Sequence, residues 1–137
     1  MGKQMLAPDW EFQADEAKEA LIERKGYLEF LRAACTPDSD YDSALIIFAE
    51  LIANVIRHAA GPIQISIWGN ERGSVTLQVI DTGAPFHFAP KLPPPNSEGG
   101  RGLYIISRLS REVSVSRNED GNVVRVELPV AFSTGAP

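Results

Sequence analysis

The chain has 137 residues, a net charge of −5 and an apolar fraction of 44%, values ordinary for one globular domain with its own core. Its basic residues are scattered, with Arg24-Lys25 as the longest run, which excludes the clustered cations of a nucleic-acid surface. The lone Cys35 excludes an internal disulfide, and no apolar run approaches the ~18 residues that span a bilayer, so a cytoplasmic, reducing setting without membrane attachment is expected.

In chain order, Trp10-Glu11-Phe12 reads as a short strand. Apolar residues Ala17, Ala20, Leu21, Tyr27, Leu28, Leu31 and Ala34 recur at helical spacing, predicting one helix from Asp15 to about Ala34 with Gly26 as a weak point. Thr36-Pro37-Asp38-Ser39-Asp40 stops the chain and restarts it, with Ser39 and Asp42 placed like a capping box. A second helix is expected from Tyr41 to about Ala60, with Leu45, Phe48, Ile52, Val55, Ile56 and Ala59 as its apolar stripe and Gly61-Pro62 as its stop.

Alternation then predicts a hairpin: Ile63, Ile65 and Ile67, a turn over residues 69–73, and Val75, Leu77 and Val79. Residues 82–98 carry five of the ten prolines and no periodicity, the mark of a functional or disordered loop. A third helix follows from about Arg101 to Ser110. A second hairpin pairs Val113 and Val115 with Val124, Val126 and Leu128 about a turn at Glu119-Asp120-Gly121-Asn122. The order predicts a single α+β domain over 1–137, a two-layer sandwich with a mainly antiparallel, mixed sheet and helices on one face. Its core spans about 10–130, and the tail from Pro129 or Ala131 onward frays.

Three short motifs carry chemistry. Glu50, Asn54 and Arg57 share one narrow sector of the second helix, opposite Phe48, Ile52 and Val55 at ~100° per residue. By itself that sector is a solvated helix face. Asn within a helix is a mediocre former, however, and its amide oxygen suits magnesium, which binds one or two protein oxygens and shares itself with substrate phosphates. Glu50, one turn away, could hold a water or take a proton. His58 is either a base or ligand, or a partner of the last carbonyls of the helix.

Asp81-Thr82-Gly83 ends a strand. It is ordinary turn chemistry, or a carboxylate placed to accept from an exocyclic amine with a glycine that lets the backbone approach a flat ring. Gly99-Gly100-Arg101-Gly102 opens a helix and is a hinge or an anion site. It is neither a P-loop nor a dinucleotide fingerprint. His87 is a lone loop histidine.

Taken together, Glu50-x-x-x-Asn54-x-x-x-His58, Asp81-x-Gly83 and Gly99-Gly100-Arg101-Gly102-Leu103 resemble the Bergerat-fold (GHKL) ATPases shared by sensor histidine kinases and type II gyrases. Within that superfamily the chain looks most like the small bacterial anti-sigma factor serine/threonine kinases, over about residues 10–130. The resemblance implies that Asn54 coordinates magnesium and Glu50 is the general base. Asp81 would read the adenine amine and Gly83 flank the ring, while Arg57 and His58 join the nucleotide-binding set. Gly99, Gly100, Arg101, Gly102 and Leu103 would line the phosphates beneath a lid formed by residues 84–98.

Ala84-Pro85-Phe86 stands where sensor kinases carry a second glycine. The helices before the site contain no histidine, which argues against self-phosphorylation. The implied activity is ATP-dependent phosphorylation of a serine on a small anti-anti-sigma (STAS-type) partner, with a sigma factor as second partner, in a transcription-regulating switch. The alternative is an ATP-binding module without kinase activity. A homodimer is left open.

Overall fold

The computed structural model describes residues 8–58, 61–83 and 101–133. Among these residues five strands and three α-helices follow the expected order: β1 Trp10–Ala14, a 3-10 helix Ala17–Leu21, α1 Arg24–Ala34, α2 Tyr41–His58, β2 Ile63–Gly69, β3 Val75–Asp81, α3 Arg101–Leu109, β4 Glu112–Asn118 and β5 Gly121–Glu127. The strands form one sheet in the order β1-β2-β3-β5-β4. Among the described residues every ladder is antiparallel, so the sheet they form is not the mixed one expected.

Register places Ile65 opposite Val79 and Val79 opposite Val124, and the alternation of side chains puts all three on one face. That face forms a single core with Tyr27 and Leu31 of α1 and Ile47, Phe48, Leu51 and Ile52 of α2. The Tyr27 ring stacks on Phe48 with centroids 4.2 Å apart, and its buried hydroxyl donates to the Ala44 carbonyl at 2.7 Å, so the phenol leaves no polar atom unpaired. The α+β, two-layer expectation holds.

Four local expectations do not. The predicted first helix is divided. Ala17 and Ala20 are buried three residues apart, and Ile22 and Glu23 donate to the carbonyls three residues back, which is 3-10 geometry. The α-helical pattern starts with Tyr27 bonding to Glu23.

The cap of α2 is Asp40, not the Ser39–Asp42 pair. One Asp40 oxygen accepts from the Ser43 N–H at 3.0 Å and the other from its hydroxyl at 2.7 Å. These bonds hold its carboxyl below the ordinary range. Ser39 accepts instead from the Ala131 N–H.

The apolar stripe is shifted as well. Ile56 is exposed, whereas Ala44, Ile47 and Leu51 are buried.

Lastly, residues 129–133 are not frayed. Thr36 donates to Ala131, Phe132 to Gly73 and Ser133 to Ala34, and Val130 is fully buried. The segment ties the α1–α2 loop to the β2–β3 turn. The Phe132 ring lies where a Cβ on Gly69 would stand, an approach that requires glycine. Residues 134–137 lie outside the described residues, as do 59–60, the expected lid 84–98 with His87, Gly99 and Gly100, and the side chains of His58 and Arg101.

Candidate nucleotide site

The polar sector of α2 does not face solvent throughout. Asn54 is buried and Glu50 half-buried, because α3 packs alongside α2. The seam is tight at Gly102, where a Cβ would lie 2.6 Å from Glu50 Oε1. A glycine in a helix costs up to about 1 kcal/mol relative to alanine. Here it leaves room for a carboxylate between two helices. Arg57 remains exposed in the last turn of α2.

Leu103, assigned to the phosphates from sequence, has its side chain in the core with Ile106. Any contact it makes to an anion is through backbone N–H, one of the groups that a first helical turn leaves without an intrahelical partner. The seam thus brings Glu50 of α2 against Gly102 of α3, with the buried Asn54 one turn further along α2.

The second part of the site stands at the end of β3. Asp81 follows Leu77 and Val79 on the helix-covered face and is 1% exposed. One of its oxygens, Oδ1, accepts from the Gly83 N–H at 2.8 Å and from Asn122 Nδ2 at 3.0 Å. Asp81 therefore does the turn chemistry that its sequence context suggests, and its carboxylate is also held in a fixed orientation at the sheet end. The Gly83 carbonyl accepts from Asn122 Nδ2 at 3.2 Å and from Arg117 Nη1 at 2.9 Å, so Gly83 is pinned through both its backbone polar groups.

Asn122 and Arg117 are partners that the sequence reading missed. The Asp-Gly pair at 120–121 reads as the middle of a turn, which puts Asn122 in a loop. In the structure Glu119 and Asp120 make the turn, and Gly121 and Asn122 begin β5. Gly121 has φ +124° and lies against the Asp81 backbone carbonyl, so no side chain fits there. A signal was present. An Asn two residues past an acidic turn residue lies on the same alternation as Val124 and Val126, and therefore on their core face.

Among the described residues no group of three or more His, Cys, Asp or Glu side chains could hold a metal by itself. The amide oxygen of Asn54 does fit magnesium, which needs few protein ligands when phosphates supply the rest, and leaves the Glu50 carboxylate to hold a water or take a proton. A cleft of about 670 Å³ opens nearby between β1, Pro62 and Thr82. It carries the carboxylates of Asp15, Glu19 and Asp120 and contains neither Asp81 nor Asn54, so its charge is wrong for a polyphosphate. Burial pushes the Cys35 thiol up to about 11, which removes it as a nucleophile near neutral pH.

Comparison with known proteins adds three findings. The family described as the histidine kinase-like ATPase domain matches residues 12–128. No curated protein matches the chain. Among solved structures, the chain is similar to the NMR structure of the histidine kinase domain of the E. coli osmosensor EnvZ. That likeness has 18% identity and a TM-score of 0.47, and covers 100% of this chain and 97% of that one.

Proposed function

The chain belongs to the histidine kinase-like ATPase domain family, an ATP-binding family, and on that premise we propose that it is an ATP- and magnesium-dependent serine/threonine protein kinase. Its target would be a serine on a small anti-anti-sigma (STAS-type) partner, with a sigma factor as the competing partner. The observation that carries this reading is the Glu50 carboxylate, half-buried against Gly102 at the start of α3 and one turn from Asn54. Asn54 would hold magnesium, which when bound would supply neutralisation of the charge that develops in phosphoryl transfer.

The side chains then divide the work. Asn54 offers an amide oxygen to the metal. Glu50 accepts the proton of the partner's serine hydroxyl as that oxygen attacks the terminal phosphorus and ADP leaves. Asp81 accepts from the 6-amino group of adenine. The first turn of α3, with Gly102 and Leu103, offers backbone N–H groups to the phosphates. The sequence-based assignments of Gly99, Gly100, Arg101, Arg57 and His58 to the same ligand are part of this proposal.

Phosphoryl transfer from labelled ATP to the anti-anti-sigma partner is the test. Glu50→Gln is expected to keep ATP binding and lose roughly 10²–10⁴-fold in transfer, the usual share of a positioned base. Asn54→Ala is expected to lose both transfer and magnesium-dependent binding. A Glu50→Gln variant that transfers at the wild-type rate removes Glu50 as the base. A wild type that binds ATP and transfers nothing is the second reading, a module that uses ATP to select its partner.

A further inference from the structure

Three residues on three neighbouring strands stand in one row across the sheet. Arg117 of β4 is opposite Asn122 of β5, and Asn122 is opposite Asp81 of β3. Directly opposed residues share a face, and here their side chains join. Arg117 Nη1 donates to Asn122 Oδ1 at 3.0 Å, and Asn122 Nδ2 donates to Asp81 Oδ1 at 3.0 Å.

The chemistry of the ends fixes the middle. A guanidinium can only donate and a carboxylate can only accept, so the Asn122 amide satisfies both when its oxygen faces Arg117 and its nitrogen faces Asp81. A flipped amide would set donor against donor at one end and acceptor against acceptor at the other. Arg117 also donates to the Gly83 carbonyl at 2.9 Å, while Gly83 N–H holds the same Asp81 oxygen. One exposed cation at the rim of the sheet thereby orients the amide and the turn, and both of these orient the carboxylate.

We propose that Arg117 is a positioning residue for nucleobase selection: acting through Asn122 and Gly83, it holds Asp81 as a directed acceptor and so sets the preference for a 6-aminopurine over a 6-oxopurine. The inference rests on the ATP-binding reading above. It goes beyond it by placing part of the selectivity on a strand-edge arginine that need not touch the base. A purine that presents an amino group at position 6 donates to the carboxylate. One that presents a carbonyl there sets acceptor against acceptor, and a buried mismatch of that kind is penalised strongly.

Calorimetric titration of the full chain with ADP and with inosine diphosphate isolates this effect, since the two ligands carry the same phosphates and differ at position 6. Wild type is expected to prefer ADP. Arg117→Met is expected to weaken ADP binding about tenfold, the scale of one charge-assisted hydrogen bond in the row, and to leave inosine diphosphate binding within about twofold, so that the ratio collapses. Arg117→Lys keeps a donor cation and is expected to restore part of the ratio, which simple loss of structure would not allow.

Because Arg117 is exposed, Arg117→Met should fold. If its melting curve shows otherwise, Arg117→Gln takes its place in the same comparison. A variant that folds and keeps the wild-type ratio overturns the proposal while the ATP-binding reading stands. A wild type that binds neither nucleotide overturns that reading, and a wild type that binds both equally overturns the role of Asp81 and with it that of Arg117.

Discussion

Gly102 is where helix packing and the proposed chemistry meet in one residue. Replacing it by alanine favours helix by up to about 1 kcal/mol, yet the new methyl would meet the Glu50 carboxylate at 2.6 Å. That carboxylate is the far end of a flexible side chain and can turn away without disturbing the backbone. Gly102→Ala is therefore expected to melt within a few degrees of wild type while phosphoryl transfer falls at least tenfold, roughly the effect of displacing a base from its working position. Unchanged transfer at unchanged stability would show that Glu50 needs no room at this seam. Gly121 stands at the other extreme. Its positive φ and its contact with the Asp81 backbone leave a side chain no way to yield, and alanine there should disturb the β3–β5 pairing itself.

Among the elements, α2 carries the most. It supplies buried core residues on one side and Glu50 and Asn54 on another, so its position sets the site. Its start is held by the bonds of Asp40 to Ser43, which favour the ionised carboxyl and lower its pKa. Because the folded value lies below the unfolded one, the contribution is present above the unfolded value near 4 and is lost as pH falls through the folded value. Asp40→Asn retains a capping oxygen but not the charge. The melting difference between wild type and Asp40→Asn is expected to be largest at neutral pH and to shrink below about pH 4. A constant difference across that range would mean that the cap does not work through its charge.

At the scale of the whole molecule, the sheet and helices form one layered core, while the candidate site residues come from α2, β3, α3 and the β4–β5 hairpin. A ligand that joins these elements links distant parts of the chain. ATP with magnesium at ~100 times its dissociation constant should add about 2.7 kcal/mol to stability, or roughly 10 °C in melting temperature for a domain of this length. A melt that does not move with ATP, together with a titration that shows no heat, would refute nucleotide binding.

Local order settles most of the fold. Alternation in Ile63, Ile65 and Ile67 or in Val75, Leu77 and Val79 fixes strand type and inward face, because the period of a strand is a property of neighbouring residues. The spacing of Glu50, Asn54 and Arg57 is local in the same sense, and so are the glycines at 99–102. What the sequence could not decide needed contacts between distant segments. Whether the polar side of α2 faces water or a second helix depends on where α3 packs. Whether the chain after Leu128 frays depends on carbonyls and amides near residues 34, 36 and 73. Whether Asn122 is a turn residue or the neighbour of Asp81 depends on the register of β3 against β5. The period of the strands and of α2 and α3 was thus written into the sequence, and the pairing of polar groups was left to the tertiary structure, because hydrogen-bond partners are assigned by proximity in space rather than by distance along the chain.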